Sequence, residues 1–243
     1  SKNENKLVSL IDDLDTLVYT TTNSGNLSTQ AKVGGGIGDL YGTVWSKDAN
    51  GNHVVNDAGK PVESAADNYL GNAQPDWTGG WSNSFTFGDV AVNFLIDGRF
   101  GGVIYNYDQS RLDSSGVSDR SLLYRETGVT LDAVNSAGVT NTASITGQEY
   151  WQTHADIAEN YIDSQTNVRL REFSIGYNLP MAEDLGFENI SLQLIGRNLF
   201  FFHKKAEGID PEQTIGTNIG GMGMAIGNMP TTRSVGLNVT LKF

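Results

Sequence analysis

The last ten residues of the chain read Ser234-Val235-Gly236-Leu237-Asn238-Val239-Thr240-Leu241-Lys242-Phe243. Apolar side chains occupy every second position, and small or polar side chains lie between them. Because successive side chains of a β-strand point to opposite faces, this alternation predicts a strand with one apolar and one polar face. The pattern by itself fits a soluble sandwich as well as a membrane barrel, so the rest of the chain decides between them.

The same alternation occurs in two earlier stretches, each of which predicts a β-hairpin. Residues 81–100 alternate on both sides of the dipeptide Gly88-Asp89, which is a typical two-residue hairpin turn. Residues 167–202 alternate on both sides of a connection from Met181 to Asn189. With the last strand, the chain contains five predicted strands, each close to the ~9–11 residues that cross a bilayer when tilted.

A local irregularity is predicted in the first strand of the second hairpin. Val168 and Leu170 have the opposite parity to Phe173 and the apolar residues that follow it. One extra residue in a strand shifts the alternation in this way, so a β-bulge is expected near Arg171-Glu172.

The connections between the predicted strands alternate between short and long. The turns at 88–89 and 181–189 are short, whereas residues 101–166 and 203–230 form long polar connections. Short turns at one end and long loops at the other are typical of outer-membrane barrels, with the short turns on the periplasmic side. Five strands are too few to close such a barrel, so we expect further strands to complete the sheet.

Composition excludes several other classes of protein. The 243 residues have 16 Lys and Arg against 28 Asp and Glu, a net charge of −12, and no basic cluster indicates binding to nucleic acid. The chain has no cysteine, which removes disulfides and thiolate sites. No run of 18 apolar residues is present, so no transmembrane helix is expected.

Six short motifs in order resemble those of the SusC/RagA family of TonB-dependent outer-membrane transporters. They are Tyr69-Leu70-Gly71-Asn72-Ala73-Gln74-Pro75-Asp76-Trp77-Thr78-Gly79-Gly80, Phe94-Leu95-Ile96-Asp97-Gly98-Arg99-Phe100-Gly101-Gly102, Val168-Arg169-Leu170-Arg171-Glu172, Tyr177-Asn178-Leu179-Pro180, Gly196-Arg197-Asn198-Leu199-Phe200 and Gly208-Ile209-Asp210-Pro211-Glu212.

The resemblance implies an all-β fold, in which the chain is the C-terminal five strands of a transmembrane antiparallel β-barrel of about 22 strands with a plugged lumen and long extracellular loops. It further implies the outer membrane of a Gram-negative bacterium, with the C-terminus on the periplasmic side. The implied partners are a SusD-like surface lipoprotein, outer-membrane lipid, the N-terminal barrel and plug of the same protein, and TonB through that N-terminal part. The implied function is import of oligosaccharides or peptides, without a cofactor.

On this reading the chain divides into six segments. These are an extracellular segment 1–80, a transmembrane hairpin 81–100, a long extracellular loop 101–166 with a short helix, a transmembrane hairpin 167–202, an extracellular loop 203–230 and a closing strand 231–243. Apolar spacing predicts short helices at Leu7 to Leu14 and at Trp151 to Ile162.

No catalytic or metal site is predicted. The histidines of the chain are His53, His154 and His203, which lie in predicted loops without the spacing of a zinc motif. Solvated loop residues are the simpler interpretation, and we expect the chain not to be an enzyme.

Two sets of residues are candidates for the functional site. Aromatic residues in or beside the loops could stack on substrate or contact the lipoprotein, although aromatic belts also place such residues at membrane interfaces. They are Trp45, Trp77, Trp81, Tyr105, Tyr107 and Trp151. Charged and polar residues within the strands should point into the lumen and pair there, because charge is costly against lipid. They are Asp97, Arg99, Arg169, Arg171, Glu172, Arg197 and Asn198.

Two other interpretations remain open from the sequence. A passive porin would share the strand pattern but lack a plug and TonB dependence. A soluble β-sandwich that binds carbohydrate would share the alternation, but it would bury its apolar faces between two sheets.

Overall fold

The structure is a computed structural model that describes residues 1–11, 14–180, 184 and 186–243. Its elements in chain order are β1 (Thr16–Thr21), β2 (Leu27–Lys32), β3 (Asp39–Gly42), β4 (Val54–Val55), β5 (Asn68–Asn72), β6 (Trp77–Phe87), β7 (Val90–Phe100), β8 (Val103–Asn106), α1 (Tyr107–Ser114), a 3-10 turn (Asp119–Leu122), β9 (Val134–Asn135), α2 (Gly147–Asp156), a 3-10 turn (Ala158–Tyr161), β10 (Ile162–Ser164), β11 (Asn167–Asn178), β12 (Asn189–Lys204), β13 (Met224–Ala225) and β14 (Ser234–Lys242).

Five strands form one antiparallel sheet, which we call the main sheet, in the order β14-β12-β11-β7-β6. These are the five strands that the alternation predicts, so their number and their antiparallel arrangement are confirmed. The strand β6 begins at Trp77, four residues before the predicted start, because Gly79 and Gly80 continue the pairing with β7 although they add nothing to the apolar pattern.

The predicted turn between β6 and β7 is confirmed. Phe87 pairs with Val90, so Gly88 and Asp89 are the only residues between the two strands. Gly88 has a φ of 56°. Two-residue hairpin turns require this left-handed conformation at their first position, and glycine adopts it without a steric cost.

The predicted bulge is also confirmed. Leu170 pairs with Ile96 and Glu172 pairs with Leu95, so Arg171 has no counterpart in β7. The extra residue restores the apolar side chains of β11 to the same face of the sheet before and after the bulge.

The main sheet has one continuous apolar face. One row of side chains crosses all five strands in register and consists of Phe85, Val92, Ile175, Leu194 and Leu237. These side chains are partly or largely exposed, as shown by Leu194 at 50% and Leu237 at 69%. A soluble sandwich would cover this face with a second sheet, and no element of the described residues does so, which contradicts the sandwich interpretation.

The long connections are folded rather than irregular. They form a four-stranded sheet β1-β2-β3-β5, a three-stranded sheet β10-β8-β13, the helices and a shared core. We call these parts together the loop module. Its core contains Leu27, Tyr105, Ala155, Ala158, Tyr161 and Met224. The prediction of an extracellular segment 1–80 and of a loop 101–166 with a short helix therefore missed short strands that pair with partners distant in the sequence.

One predicted helix is present with shifted bounds. The helix α2 begins at Gly147, four residues before the predicted start, because Thr146 and Glu149 form a capping box. It ends at Asp156, and a 3-10 turn follows over Ala158–Tyr161. The chain between Trp151 and Ile162 is thus helical in two separate pieces.

The other predicted helix, Leu7 to Leu14, is wrong where it can be compared. Residues 7–11 contain no helix, and Leu7 instead exchanges backbone hydrogen bonds with Gly34 and Gly35. Asp12 and Asp13 lie outside the described residues, as do residues 181–183 and 185 of the predicted short connection between β11 and β12. No helix in the described part of the chain is both long enough and apolar enough to cross a membrane.

Candidate functional site

A cluster of ion pairs lies where the polar face of the main sheet meets the loop between β12 and β14. The sheet contributes Asp97, Arg99, Arg169 and Arg171, and the loop contributes Asp210 and Glu212. We call these six residues the charge cluster. They come from three of the six sequence motifs, which are far apart in the chain and meet at this point.

Arg171 is the centre of the charge cluster because its bulge position separates it from the regular ladder. Its Nε and Nη2 donate to the two carboxylate oxygens of Asp97 at 2.9 and 3.0 Å. Nη2 also donates to Oε1 and Oε2 of Glu212 at 2.8 and 2.9 Å. Nη1 donates to Oδ1 of Asn198 at 3.1 Å, so the guanidinium joins two strands to the loop.

Arg169 is almost wholly buried beside it. Its Nη1 lies 3.2 Å from Oε2 of Glu212 and 3.4 Å from Oδ2 of Asp210, and its guanidinium lies over the ring of Phe201 at 4.4 Å. Nη2 is hydrogen-bonded to the hydroxyl of Thr231. Burial alone would raise the pKa of Asp210, but hydrogen bonds from Thr231 and from the Glu212 amide, together with Arg169, hold that pKa below its ordinary value.

The charges of the cluster balance only when the loop is docked. The sheet provides three arginines and one aspartate, a net charge of +2, and the loop provides two carboxylates. Glu212 contacts Arg169, Arg171 and, at 3.9 Å, Arg99, while its side chain is only 6% exposed. Buried charges require such partners, so the loop is fixed to the sheet by electrostatics.

The remaining predicted polar residues lie on the same face of the sheet. Glu172 and Arg197 pair with each other at 3.0 Å, and their side chains are 42% and 63% exposed. Asn198 has a φ of 51°, a left-handed conformation that asparagine tolerates better than most residues. All seven predicted residues therefore have polar partners, while their position in a lumen remains a prediction.

Sequence reasoning missed the loop side of the charge cluster. The sequence places Asp210 and Glu212 in a motif, but it does not show that they and Thr231 contact the arginines. The sequence does contain one signal. The strands β7 and β11 contribute three arginines and one aspartate to the cluster, and this excess of positive charge requires carboxylates from elsewhere in the chain.

The six predicted aromatic residues do not form one site. Trp77 and Trp81 lie on the apolar face of the main sheet, where Trp77 stacks on Phe100 with ring centres 3.9 Å apart. This position matches an aromatic belt better than a substrate contact. Trp45 and Tyr107 lie partly exposed in the loop module, and they remain candidates for contact with a ligand.

Two of the aromatic candidates, Tyr105 and Trp151, are not exposed loop residues but are buried in the loop module. Tyr105 is 0% exposed in the core of the loop module, and its hydroxyl accepts a hydrogen bond from Asn26 at 3.1 Å. Trp151 is 7% exposed, and its Nε1 donates to the carbonyl of Leu123 at 3.1 Å. The loop module folds around both rings, and Trp151 also lines the polar cleft between α1 and α2.

His154 is also different from the predicted solvated loop residue. It lies half-buried in α2, with Nδ1 3.1 Å from the hydroxyl of Tyr161, which in turn donates to Asp113 at 2.8 Å. Burial, together with the positive charge of Arg120, lowers the pKa of His154 to about 4. Burial and the bond to Asp113 raise the pKa of Tyr161. The hydrogen bonds that join His154, Tyr161 and Asp113 within the loop module indicate a structural role for this group.

The described residues contain no group of three or more His, Asp or Glu side chains that could hold a metal ion. They do contain clefts in the loop module and beside the charge cluster. A polar cleft of about 520 Å³ lies between α1 and α2 and is lined by Arg125, Gln148 and Gln152 among others. A second cleft of about 490 Å³ lies next to Arg169.

The sequence is similar to TonB-dependent receptors of Formosa agariphila, although no family model matches it. It is 27% identical to TonB-dependent receptor P3 over 100% of this chain and 28% identical to TonB-dependent receptor P26 over 99%. It is 30% identical to TonB-dependent receptor P39 over 59% of this chain. The chain spans 26% of the length of the first and second of these relatives and 14% of the third.

Solved structures of the RagAB peptide transporter have the same fold. One superposes with a TM-score of 0.63 at 18% identity, over 98% of this chain and 26% of the RagAB chain. The open-open state gives the same TM-score and covers 25% of its chain. These matches confirm the resemblance to SusC/RagA-type TonB-dependent transporters and an all-β fold similar to that of their barrel. The names of the relatives are those of receptors and transporters, which fits the expectation that the chain is not an enzyme.

Proposed function

We propose that this chain forms part of the wall and external loops of a TonB-dependent importer of large nutrients in the outer membrane. The continuous, exposed apolar face across all five strands of the main sheet is the observation that carries the proposal. Such a face needs contact with lipid, and an antiparallel sheet meets that need when it is closed into a barrel. The similarity to TonB-dependent receptors along the whole chain supports active import rather than passive diffusion.

The orientation of the sheet follows from the distribution of its connections. The two-residue turn at Gly88-Asp89 would be periplasmic, and the loop module would lie outside the cell. The last strand then descends, so Phe243 would lie near the periplasm. Three segments would cross the membrane, namely 81–100, 167–202 and 231–243. The other three would be external, namely 1–80, 101–166 and 203–230.

The polar face of the sheet would line the lumen. An arginine against lipid at the middle of the membrane costs about 2–4 kcal/mol, so the charge cluster and the Glu172–Arg197 pair belong on the inner side. There the cluster would fix the loop that contains Glu212 to the wall.

We also propose a SusD-like surface lipoprotein as the partner of the loop module. The resemblance to the SusC/RagA family supports this partner, and the similar solved structures are those of the RagAB peptide transporter. The plug and the segment that contacts TonB would come from the part of the protein that corresponds to the other three quarters of the relatives. Oligosaccharides and peptides are both suitable substrates, and the description of RagAB as a peptide transporter supports the second.

The experiment uses the full-length protein in the outer membrane of the bacterium that makes it. Uptake of labelled oligosaccharides and peptides is measured in cells with and without TonB, and affinity purification of the protein identifies any lipoprotein bound to it. The proposal predicts that uptake requires TonB and that a surface lipoprotein is recovered with the protein. Uptake that continues at the same rate without TonB would support a passive porin instead.

A further inference from the structure

The cleft beside the charge cluster differs from the other clefts in its balance of charge. It lies where the second half of β12 meets the loop before β14 and has a volume of about 490 Å³. Three cations line it, namely Arg169, Lys204 and Arg233, and the apolar part of its lining includes Leu199 and Phe201. Asp108 and Asp210 line the cleft as well.

Both carboxylates of the cleft are already occupied by internal donors. Asp108 accepts the amide of Gly227 at 2.8 and 3.0 Å. Asp210 accepts the amides of Thr231 and Glu212, each at 3.1 Å, and pairs with Arg169. Asp210 is therefore paired with a cation, whereas Asp108 is bonded to a neutral amide and leaves one negative charge in the cleft against the positive charges of Lys204 and Arg233.

Two of the three cations in the cleft, Lys204 and Arg233, lack an acidic partner among the described residues. The Nζ of Lys204 donates to the neutral carbonyl of Ile209 at 2.9 Å and has no carboxylate partner among the described residues. The side chain of Arg233, which lines the cleft, forms no hydrogen bond or ion pair within the described part of the chain. Arg169 also lines the cleft, and its Nε is buried without a hydrogen-bond partner among the described residues.

We propose that this cleft binds a carboxylate group of the transported nutrient. Arg233 and Lys204 would supply charge-assisted hydrogen bonds to the carboxylate, and the aromatic and aliphatic lining would contact the body of the ligand. The carboxylate is either the C-terminus of a peptide or that of an acidic sugar, since the cleft recognises the group that they share. This inference rests on the proposed function, because it places the cleft in the lumen of an importer.

The test compares matched ligands on the purified full-length transporter. One pair is a peptide with a free C-terminus and the same peptide amidated, and the other is an oligosaccharide that ends in a uronic acid and its neutral analogue. The variants are Lys204→Gln, Arg233→Gln and their combination, with Lys205→Gln as the control because Lys205 is an exposed neighbour outside the cleft. Binding is measured by calorimetry at low and high salt.

Wild-type and Lys205→Gln proteins should bind one carboxylate ligand about tenfold or more tightly than its neutral partner, because the neutral partner lacks the charge-assisted hydrogen bonds. The double variant should bind both members of that pair equally, and high salt should reduce the difference in the wild type. The pair of ligands that shows this difference in affinity identifies whether the carboxylate belongs to a peptide or to an acidic sugar. Equal binding of both members of each pair by the wild type, no binding of either carboxylate ligand, or an unchanged preference in the double variant would overturn the proposal.

Uptake separates this result from that of the proposed function. Loss of TonB abolishes uptake if the chain belongs to an active importer, whatever the cleft binds. A preference for carboxylates that depends on Lys204 and Arg233, in a protein whose uptake does not need TonB, would support the carboxylate site in the cleft and contradict the proposal of an active importer.

Discussion

Replacing Glu212 with glutamine should release the loop between β12 and β14 from the main sheet. The substitution keeps the size of the side chain and leaves three arginines with two carboxylates, so the charge cluster gains a net charge of +1. Removing one member of a buried ion pair costs about 3–5 kcal/mol. Arg171 and Arg99 are 25% and 41% exposed, so solvent screens part of the loss, and we expect about 3 kcal/mol.

Amide hydrogen exchange on the full-length protein in membranes measures this change. An opening free energy lower by about 3 kcal/mol corresponds to exchange about 100 times faster. The amide of Ile215, which donates to the carbonyl of Met224 at 2.8 Å, reports on the loop. Amides in the middle of β12, near Leu194, should be unchanged.

Two further variants make the result specific. Glu207→Gln removes an exposed charge from the same loop and should leave exchange unchanged. Combining Glu212→Gln with Arg171→Met restores a net charge of zero, so the double variant should lose less than the sum of the two single losses. The electrostatic explanation of loop docking is wrong if Glu212→Gln speeds loop exchange less than threefold. It is also wrong if the loss of stability in the double variant equals the sum of the losses in the two single variants.

Three other predictions concern the loop module and the two faces of the sheet. His154 has a pKa of about 4, and an unfolded histidine binds its proton near pH 6.5. Between these values the unfolded state binds more protons, so the loop module should lose up to about 3 kcal/mol as the pH falls from 6.5 to 4. Hydrogen exchange in α2 should show this loss, and it should be absent in His154→Asn. Gly101→Ala and Gly138→Ala both place a side chain at a φ near +75°, but the added carbon meets Asp76 only at Gly101 and meets nothing at Gly138. Thermal unfolding should show a loss of about 1–2 kcal/mol at Gly138 and a larger loss at Gly101; equal losses would remove the steric explanation. Leu194→Arg on the apolar face should cost about 2–4 kcal/mol and reduce the amount of heat-modifiable protein in the membrane, whereas Gln193→Arg on the polar face should not. Similar amounts of both variants would refute the assignment of the lipid face.

The sequence predicts the main sheet well because alternation is a local property of a strand. Each apolar residue of the row from Phe85 to Leu237 can be assigned to a face of its strand without knowing which strands pair with it. The bulge at Arg171 is visible for the same reason, since it changes the parity within one strand.

The loop module is less predictable because its contacts connect distant parts of the chain. The strand β8 pairs with β13 through Tyr105 and Met224, which lie more than 100 residues apart and have no repeated pattern between them. Tyr105 therefore looks like an exposed loop aromatic in the sequence and is a core residue in the fold. The charge cluster shows the same limit, since the arginines can be recognised in the strands but their partners Asp210 and Glu212 cannot be assigned until the loop is placed.

Arg169 belongs to both the charge cluster and the cleft, and this determines which variants are informative. Its Nη1 pairs with the loop carboxylates, while its Nε has no partner among the described residues. Substitution of Arg169 would therefore release the loop and change the cleft together, so a loss of ligand binding could not be assigned to either cause. Lys204 and Arg233 have no carboxylate partner in the described chain, so their substitution leaves the pairing of Glu212 intact. Ligand binding that is lost in these variants while the loop amides keep their protection must come from the cleft itself.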